Sequence, residues 1–272
     1  MLFMTVPTAG SHPELLDAMI RDCGLPRENI VIIATAPGVS VPEGCVVIED
    51  LGPKNIQRWW STGIEESKAR GAAVVAVVND DIRLTPQTLP QLREALESSG
   101  ATIASPSRPP RRDRLHKRPL VPYSPRIWGC LWLIDTSSSL RPDPRYVWWY
   151  GDCDLDIRAR RDYRGIVTRD VEYEHYFPGE GTGLSAELTA QTEKDAMTFQ
   201  QDHARLLTLS RLATAPRRFF KGRFRGPTSA SGRSHRRPKR STQMDASGRV
   251  WSPPRNGCGP AQAAFFSTAT ES

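Results

Sequence analysis

Three polar residues, Asn79-Asp80-Asp81, follow directly on the apolar run 72–78. An unbroken apolar run bounded in this way is the pattern of a strand covered on both faces. In open α/β sheets, ligands collect beyond the carboxyl ends of parallel strands. Two neighbouring carboxylates at such an end repel each other unless a cation neutralises them. A hard divalent ion does so, and a Mg2+-type site joins one or two carboxylates to substrate phosphates. The other reading is an Asx turn leaving the strand, because Asn and Asp are common turn formers. A second acidic group, Asp152 and Asp154 in "GDCDLDIR" (151–158), falls in the first turn of a predicted helix. These carboxylates either cap the helix and complement its dipole or supply a general base, able to take a hydroxyl proton as that oxygen attacks. His175, in "VEYEHYF", is a further candidate ligand, although alone it reads as a structural histidine.

The elements that must position these residues alternate in type. "LFMTV" (2–6) reads as a buried strand ending at Pro7-Thr8, followed by a helix with Ser11 and Glu14 spaced as a capping box. "NIVIIAT" (29–35), "CVVIED" (45–50), 72–78 and "ATIAS" (101–105) read as further strands, and 55–71 as a helix. Residues 84–100 form another predicted helix, with Thr85 as N-cap, Pro86 at N1 and Gly100 as C-cap. "WGCLWLID" (128–135) and 165–175 read as strands, and 152–163 and 188–212 as helices. Strands alternating with helices imply βαβ units and a largely parallel sheet. Residues 106–126, with six Pro and seven Lys+Arg, break the pattern and read as a long loop, either a binding loop or an exposed connector.

Charge divides the chain in two. Residues 211–272 hold 13 Lys+Arg and two acidic residues, whereas 1–210 hold 24 basic and 28 acidic residues. A mildly acidic body of 1–212 therefore carries a basic, Pro/Gly/Ser-rich tail, 213–272, expected to be disordered. Phe219, Phe220 and Phe224 interleave with its cations. That mixture suits an anionic membrane surface or a polyanion. No nucleic-acid-binding motif accompanies it, so sequence-specific nucleic-acid recognition is not expected. Five cysteines without a C-x-x-C pair argue against a disulfide framework and a thiolate zinc site, and a reducing cytoplasm is the default expectation. The opening "MLFMTVPTAG" has no basic n-region or long apolar core, so no signal peptide is expected.

Taken in order, these pieces resemble a family 2 glycosyltransferase of the GT-A fold, of the small stand-alone kind found in bacteria and phages. The matching pieces are Pro7-Thr8 at the end of the first strand, the acidic triplet Asn79-Asp80-Asp81, "GCLWLI" (129–134), Gly151-Asp152-Cys153-Asp154-Leu155 with Arg158, and His175. Together they span about residues 1–200. The resemblance implies a mostly parallel sheet flanked by helices and transfer of a sugar from a nucleotide-sugar donor with inversion. In these terms Asp81 binds a divalent metal, Mn2+ or Mg2+, and the donor diphosphate, with Asp80 and Asn79 beside it. His175 completes the metal site, and Pro7, Thr8 and Asp50 face the nucleotide. Asp152 is the base, and Asp154 supports it or touches the acceptor.

Trp128, Gly129 and Trp149, together with Trp132, Trp148 and the 106–126 loop, would shape the acceptor side, although tryptophans in strands also read as core. The acceptor would be a glycan, a lipid-linked saccharide or a protein, and the location cytoplasmic, at the inner face of the membrane. Three departures stand out: no acid follows the second strand in "IIATAPG" (32–38), Ser61 stands two residues before "GI" where the family usually has Asn, and Gly151 occupies the place where the family often has Glu. They keep two other readings open, an inactive sugar-nucleotide-binding scaffold of the same fold and a polyanion- or membrane-binding protein led by its tail.

Overall fold

A computed structural model describes residues 1–107, 113–176 and 186–223, with side chains as far as Ala213. Its strands are β1 (Leu2–Thr8), β2 (Ile30–Ala34), β3 (Val46–Glu49), β4 (Val74–Val78), β5 (Ile82–Leu84), β6 (Ile103–Pro106), β7 (Arg114–His116), β8 (Leu131–Asp135), β9 (Ile166–Arg169) and β10 (Tyr173–His175). Its helices are α1 (Pro13–Asp22), α2 (Ile56–Ala69), α3 (Thr88–Ser99), α4 (Gly151–Asp162), α5 (Ala186–Asp202) and α6 (Ala204–Arg223).

Eight strands form one sheet in the order β3-β2-β1-β4-β8-β6-β9-β7, and β5 and β10 pair separately as a two-stranded ribbon. Alternate residues of the central strands feed two cores. Met4, Val6, Ile32, Ala76 and Val78 pack with Leu16 and Met19 of α1 and Leu89 and Leu92 of α3. Phe3, Val31, Ile33, Val75 and Val77 pack with Trp59, Trp60 and Ile64 of α2 and Leu155 of α4. Because both faces are covered, β2 and β4 are apolar throughout and β1 is mostly apolar and wholly buried, as read from the sequence. The mostly parallel, helix-flanked sheet is the fold class expected above.

The winding of the chain places the site. It passes from β1 outward to β2 and β3, then crosses back through α2 to β4 on the other side of β1. The topological switch point therefore lies between β1 and β4. Pairing of β1 with β4 runs only from Leu2↔Val74 to Thr5↔Val77, whereas pairing with β2 continues to Thr8↔Ala34. Pairing thus stops at the carboxyl ends of the two strands, and the crevice that open α/β sheets form at such a point would lie over Thr8 on one side and Asn79-Asp80-Asp81 on the other.

Several local expectations are corrected. Helix α1 begins at Pro13 with His12, not Ser11, as N-cap and no side-chain capping bond; proline at N1 removes one of the N–H groups needing a partner, and the His12 carbonyl accepts the Leu15 and Leu16 N–H groups. Helix α3 starts at Thr88, whose hydroxyl accepts the Thr85 N–H at 3.0 Å. The 106–126 segment contains β7, which pairs antiparallel with β9, while 108–112 lie outside the described residues. The 165–175 stretch divides between β9 and β10, which belong to different sheets. Strand β8 runs antiparallel to both β4 and β6. Helix α6 continues to Arg223, past the expected start of the tail, and 224–272 lie outside the described residues. Cys23, Cys45 and Cys130 are free thiols. No helix is long and apolar enough to cross a membrane among the described residues.

Gly63 shows how closely α2 lies on the sheet. A Cβ there would overlap the buried Thr5 side chain of β1. In an open helix Gly→Ala stabilises by about 1 kcal/mol. Here Gly63→Ala is expected to destabilise by about 1–3 kcal/mol through overpacking. A urea midpoint that rises in this variant would contradict the packing.

Candidate functional site

Thr8 and Asp80 meet across the switch point. The Thr8 hydroxyl donates to Asp80 Oδ2 at 2.6 Å and accepts the Gly10 N–H at 2.9 Å. Burial pushes the Asp80 carboxyl above its ordinary pKa; the Thr8 bond opposes this and the adjacent Asp81 charge adds to it. Pro7 lies within β1 opposite Ile33. Having no N–H to leave unpaired, it suits a point beyond the pairing with β4. Thr35, a residue the sequence reading did not single out, donates from both its N–H (2.8 Å) and its hydroxyl (3.0 Å) to the Thr8 carbonyl, closing the β1–β2 end of the crevice.

Asp81 is joined to a residue 94 positions away. Strand β10 pairs with β5 so that His175 stands opposite Ile82. The Tyr176 N–H also donates to the Asp81 carbonyl at 3.0 Å. This ribbon brings His175 Nε2 to 3.0 Å from Asp81 Oδ2. Burial works against a charged His175 ring, but hydrogen bonds to Asp81 and Cys130 outweigh it and raise its pKa to about 10. The other Asp81 oxygen, Oδ1, and Asn79 Oδ1 are buried acceptors with no hydrogen-bond partner. They are two of thirteen buried side-chain polar atoms without a hydrogen-bond partner among the described residues, and they are the two that stand on the acidic triplet.

The dipeptide Gly129-Cys130 links this group to Asp152. The Cys130 carbonyl accepts the Asn79 N–H at 3.0 Å. One residue earlier, a Cβ on Gly129 would stand 3.3 Å from Asp152 Oδ2 and 3.6 Å from Trp60 Cη2, so glycine lets the carboxylate approach the backbone. Asp152 is half-buried in the first turn of α4, and its Oδ1 accepts the Cys153 N–H at 2.8 Å. Asn79, Asp81, His175 and Asp152 are therefore gathered around one short piece of chain before β8.

Other expected residues lie apart from this group. Asp154 is 2% exposed and turned inward, accepting from Arg158 Nε at 2.7 Å and His203 Nε2 at 3.0 Å. Asp50 follows β3 and pairs with Arg58 of α2 at 2.7 Å, at the outer end of the crevice. Trp128 is half-buried, with its backbone N–H on Ser105 Oγ at 3.1 Å. Trp149 is half-buried, with its N–H on Asp195 at 2.8 Å. Trp132 is fully buried, edge-on to Trp60 at 5.8 Å, and belongs to the core. Asp195 and His203 carry none of the motif signals that drew attention to the others, and Cys130 enters only as part of "GCLWLI".

A divalent ion is testable against these residues. The pair of unpartnered acceptor oxygens and the Asp81–His175 contact form a donor set suited to a hard cation. Among the described residues, however, no three or more His, Cys, Asp or Glu side chains converge as a complete cage. Asp81 and, once its ring has given up its proton, His175 can therefore supply two ligands, with the remainder left to phosphate oxygens and water, as Mg2+-type sites arrange it.

No protein-family model matches the sequence, and no curated protein matches it. Among solved structures, the chain is similar to S. aureus TarS 1–349, at 10% identity over 76% of this chain and 73% of that one, with a TM-score of 0.49. The same fragment in complex with UDP matches at 11% identity over 75% and 72%, TM-score 0.47. A mannosyltransferase from Pyrobaculum calidifontis in complex with GDP-Man and Mn2+ matches at 15% identity over 62% and 55%, TM-score 0.41. At such identities and TM-scores no chemistry carries over, and what this site can do rests on its own geometry.

Proposed function

We propose that the protein is a family 2-like, metal-dependent inverting glycosyltransferase, moving a hexosyl unit from a nucleotide-sugar to an acceptor hydroxyl. The observation that carries this reading is the group at the switch point: paired Thr8–Asp80 and Asp81–His175 contacts, with two buried acceptor oxygens left over and Asp152 one glycine away. An oxygen-rich, two-ligand site at this place suits a divalent ion shared with a diphosphate. Asp81 and His175 would hold the ion, Mn2+ or Mg2+. Once bound, it would neutralise charge developing on the leaving diphosphate.

This chain's own residues do the rest. Thr8, Asp80, Asn79 and the backbone after Pro7 form the floor for the nucleotide, with Asp50 at its outer end. Asp152 accepts the proton of the acceptor hydroxyl as that oxygen bonds to the anomeric carbon. The bond from that carbon to the diphosphate oxygen breaks, and the nucleoside diphosphate leaves with the electron pair. Attack opposite the leaving group inverts the anomeric centre. Gly129, Trp128 and Trp149 border the acceptor side, whose ligand is a glycan, lipid-linked saccharide or protein. Asp154, committed inward to Arg158 and His203, would steady the first turn of α4 beside Asp152 rather than touch the acceptor. The exposed Leu209 and Leu212 of α6, which leads into the basic tail, suit peripheral contact with the anionic cytoplasmic face of a membrane.

The direct test incubates the protein with UDP- and GDP-sugars, with and without Mn2+, and follows nucleoside diphosphate release by chromatography. Metal-dependent release from one donor is expected, and no release from any donor in a folded sample would remove the transferase reading.

A further inference from the structure

We infer that Asp195 on α5 is a positioning residue, whose carboxylate fixes the chain segment that presents Asp152. The inference rests on the transferase reading for its catalytic consequence, but its structural part stands alone. Asp195 is 1% exposed. Its Oδ1 accepts the Val147 N–H at 3.2 Å and Gln191 Nε2 at 2.7 Å. Its Oδ2 accepts the Trp148 and Trp149 N–H groups, both at 2.8 Å. One carboxylate thus binds three consecutive backbone N–H groups. Successive N–H groups turned to one side form a concavity for an anion, and here the chain supplies the anion itself. The Val147 carbonyl in turn accepts the Ile56 N–H at 2.9 Å, so the same clamp holds the first turn of α2.

The next residues are held by the same stripe of α5. Tyr150, the N-cap of α4, has φ +63, a left-handed conformation that a bulky residue keeps only when its surroundings impose it. Its ring stacks on Phe199 at 5.2 Å with planes 28° apart. Asp154 is then bound by His203, the residue after α5. Asp195, Phe199 and His203 follow one another at intervals of four, the spacing of one helix face. Each takes one part of 147–154: the backbone of 147–149, the ring of Tyr150 and the carboxylate of Asp154. Within that segment Asp152 keeps a half-exposed carboxylate while Asp154 is committed inward. A stripe on a helix distant in sequence therefore decides which of the two carboxylates faces the crevice.

The test is Asp195→Asn in the full chain, with two independent readouts. Hydrogen exchange of the peptide spanning 147–154 is expected to speed up at least tenfold, because an amide cannot accept at both positions. Transfer is expected to fall at least tenfold in kcat with donor KM unchanged, and the ratio of donor hydrolysis to transfer is expected to rise. A role confined to stability would lower the melting temperature without moving that ratio. Phe199→Leu keeps apolar volume and removes the stack on Tyr150; it should give the same pattern more weakly, and serves if the Asn variant does not fold. Unchanged exchange in folded variants would overturn the clamp. Faster exchange with wild-type kcat and partition ratio would overturn its role in positioning Asp152. Wild-type protein inactive on every donor would instead overturn the transferase reading, leaving the exchange result to decide the clamp.

Discussion

Asp152→Asn is expected to lower sugar transfer by roughly 10²–10⁴-fold, the usual contribution of a positioned general base, while leaving metal-dependent nucleotide binding within about twofold of wild type. The substitution preserves size and leaves an oxygen to accept the Cys153 N–H, now made at 2.8 Å. What disappears is a group able to take a proton. Because a side-chain oxygen at this position already lies against Gly129, a bulkier probe such as Asp152→Glu would crowd the backbone and confuse geometry with chemistry. Single-turnover kinetics at saturating donor separate the two effects. A variant that turns over at the wild-type rate would exclude Asp152 as the base.

Asp81→Ala is expected to fail at an earlier step. The residue contributes one oxygen to His175 and holds the other buried without a partner. Removing it takes away one of two protein ligands proposed for the cation, because among the described residues no group of three or more His, Cys, Asp or Glu side chains is arranged to hold a metal ion. The Mn2+ dependence of nucleoside diphosphate binding should vanish, with Kd rising on the order of 100-fold, about 2.8 kcal/mol. Calorimetry in the presence and absence of Mn2+ reads this directly. Wild-type protein should also bind Mn2+ weakly alone and strongly once a nucleoside diphosphate is present, since phosphate oxygens complete the coordination. An Asp81→Ala variant that still binds the diphosphate in a Mn2+-dependent way would place the ion elsewhere. The two substitutions are thus expected to separate cleanly, Asp81 in affinity and Asp152 in turnover.

The layered fold was legible because burial on both faces writes largely apolar runs into β1, β2 and β4, and helical periodicity recurs between them in α1, α2 and α3. Strand direction was not: "LWLI" in β8 reads the same whether parallel or antiparallel, and only pairing with β4 and β6 decides it. Strand β7 escaped because three residues carry no periodicity. At the site, the acidic triplet stands where an apolar strand stops, so the switch point could be anticipated from the order of elements. The different environments of Asp152 and Asp154 could not. Both occupy the first turn of α4, and a separation of two residues turns them to different sides of the helix. Which side faces the crevice is settled by His203 and Asp195, some fifty and forty residues further along the chain. No local pattern marks an aspartate in the middle of an amphipathic helix as the acceptor of three distant backbone N–H groups.

The most direct measurement is the thermal unfolding of the wild-type protein across a panel of nucleotide-sugars and nucleoside diphosphates, beginning with UDP and GDP-mannose, each with and without Mn2+. A ligand present at 100 times its Kd stabilises the native state by about 2.7 kcal/mol. A shift of that order is expected with one nucleotide class, only when the metal is present, and is expected to be lost in Asp81→Ala. A well-folded protein whose unfolding is unmoved by every donor, with or without metal, would contradict the assignment of the Asp81–His175 group as a metal–diphosphate site.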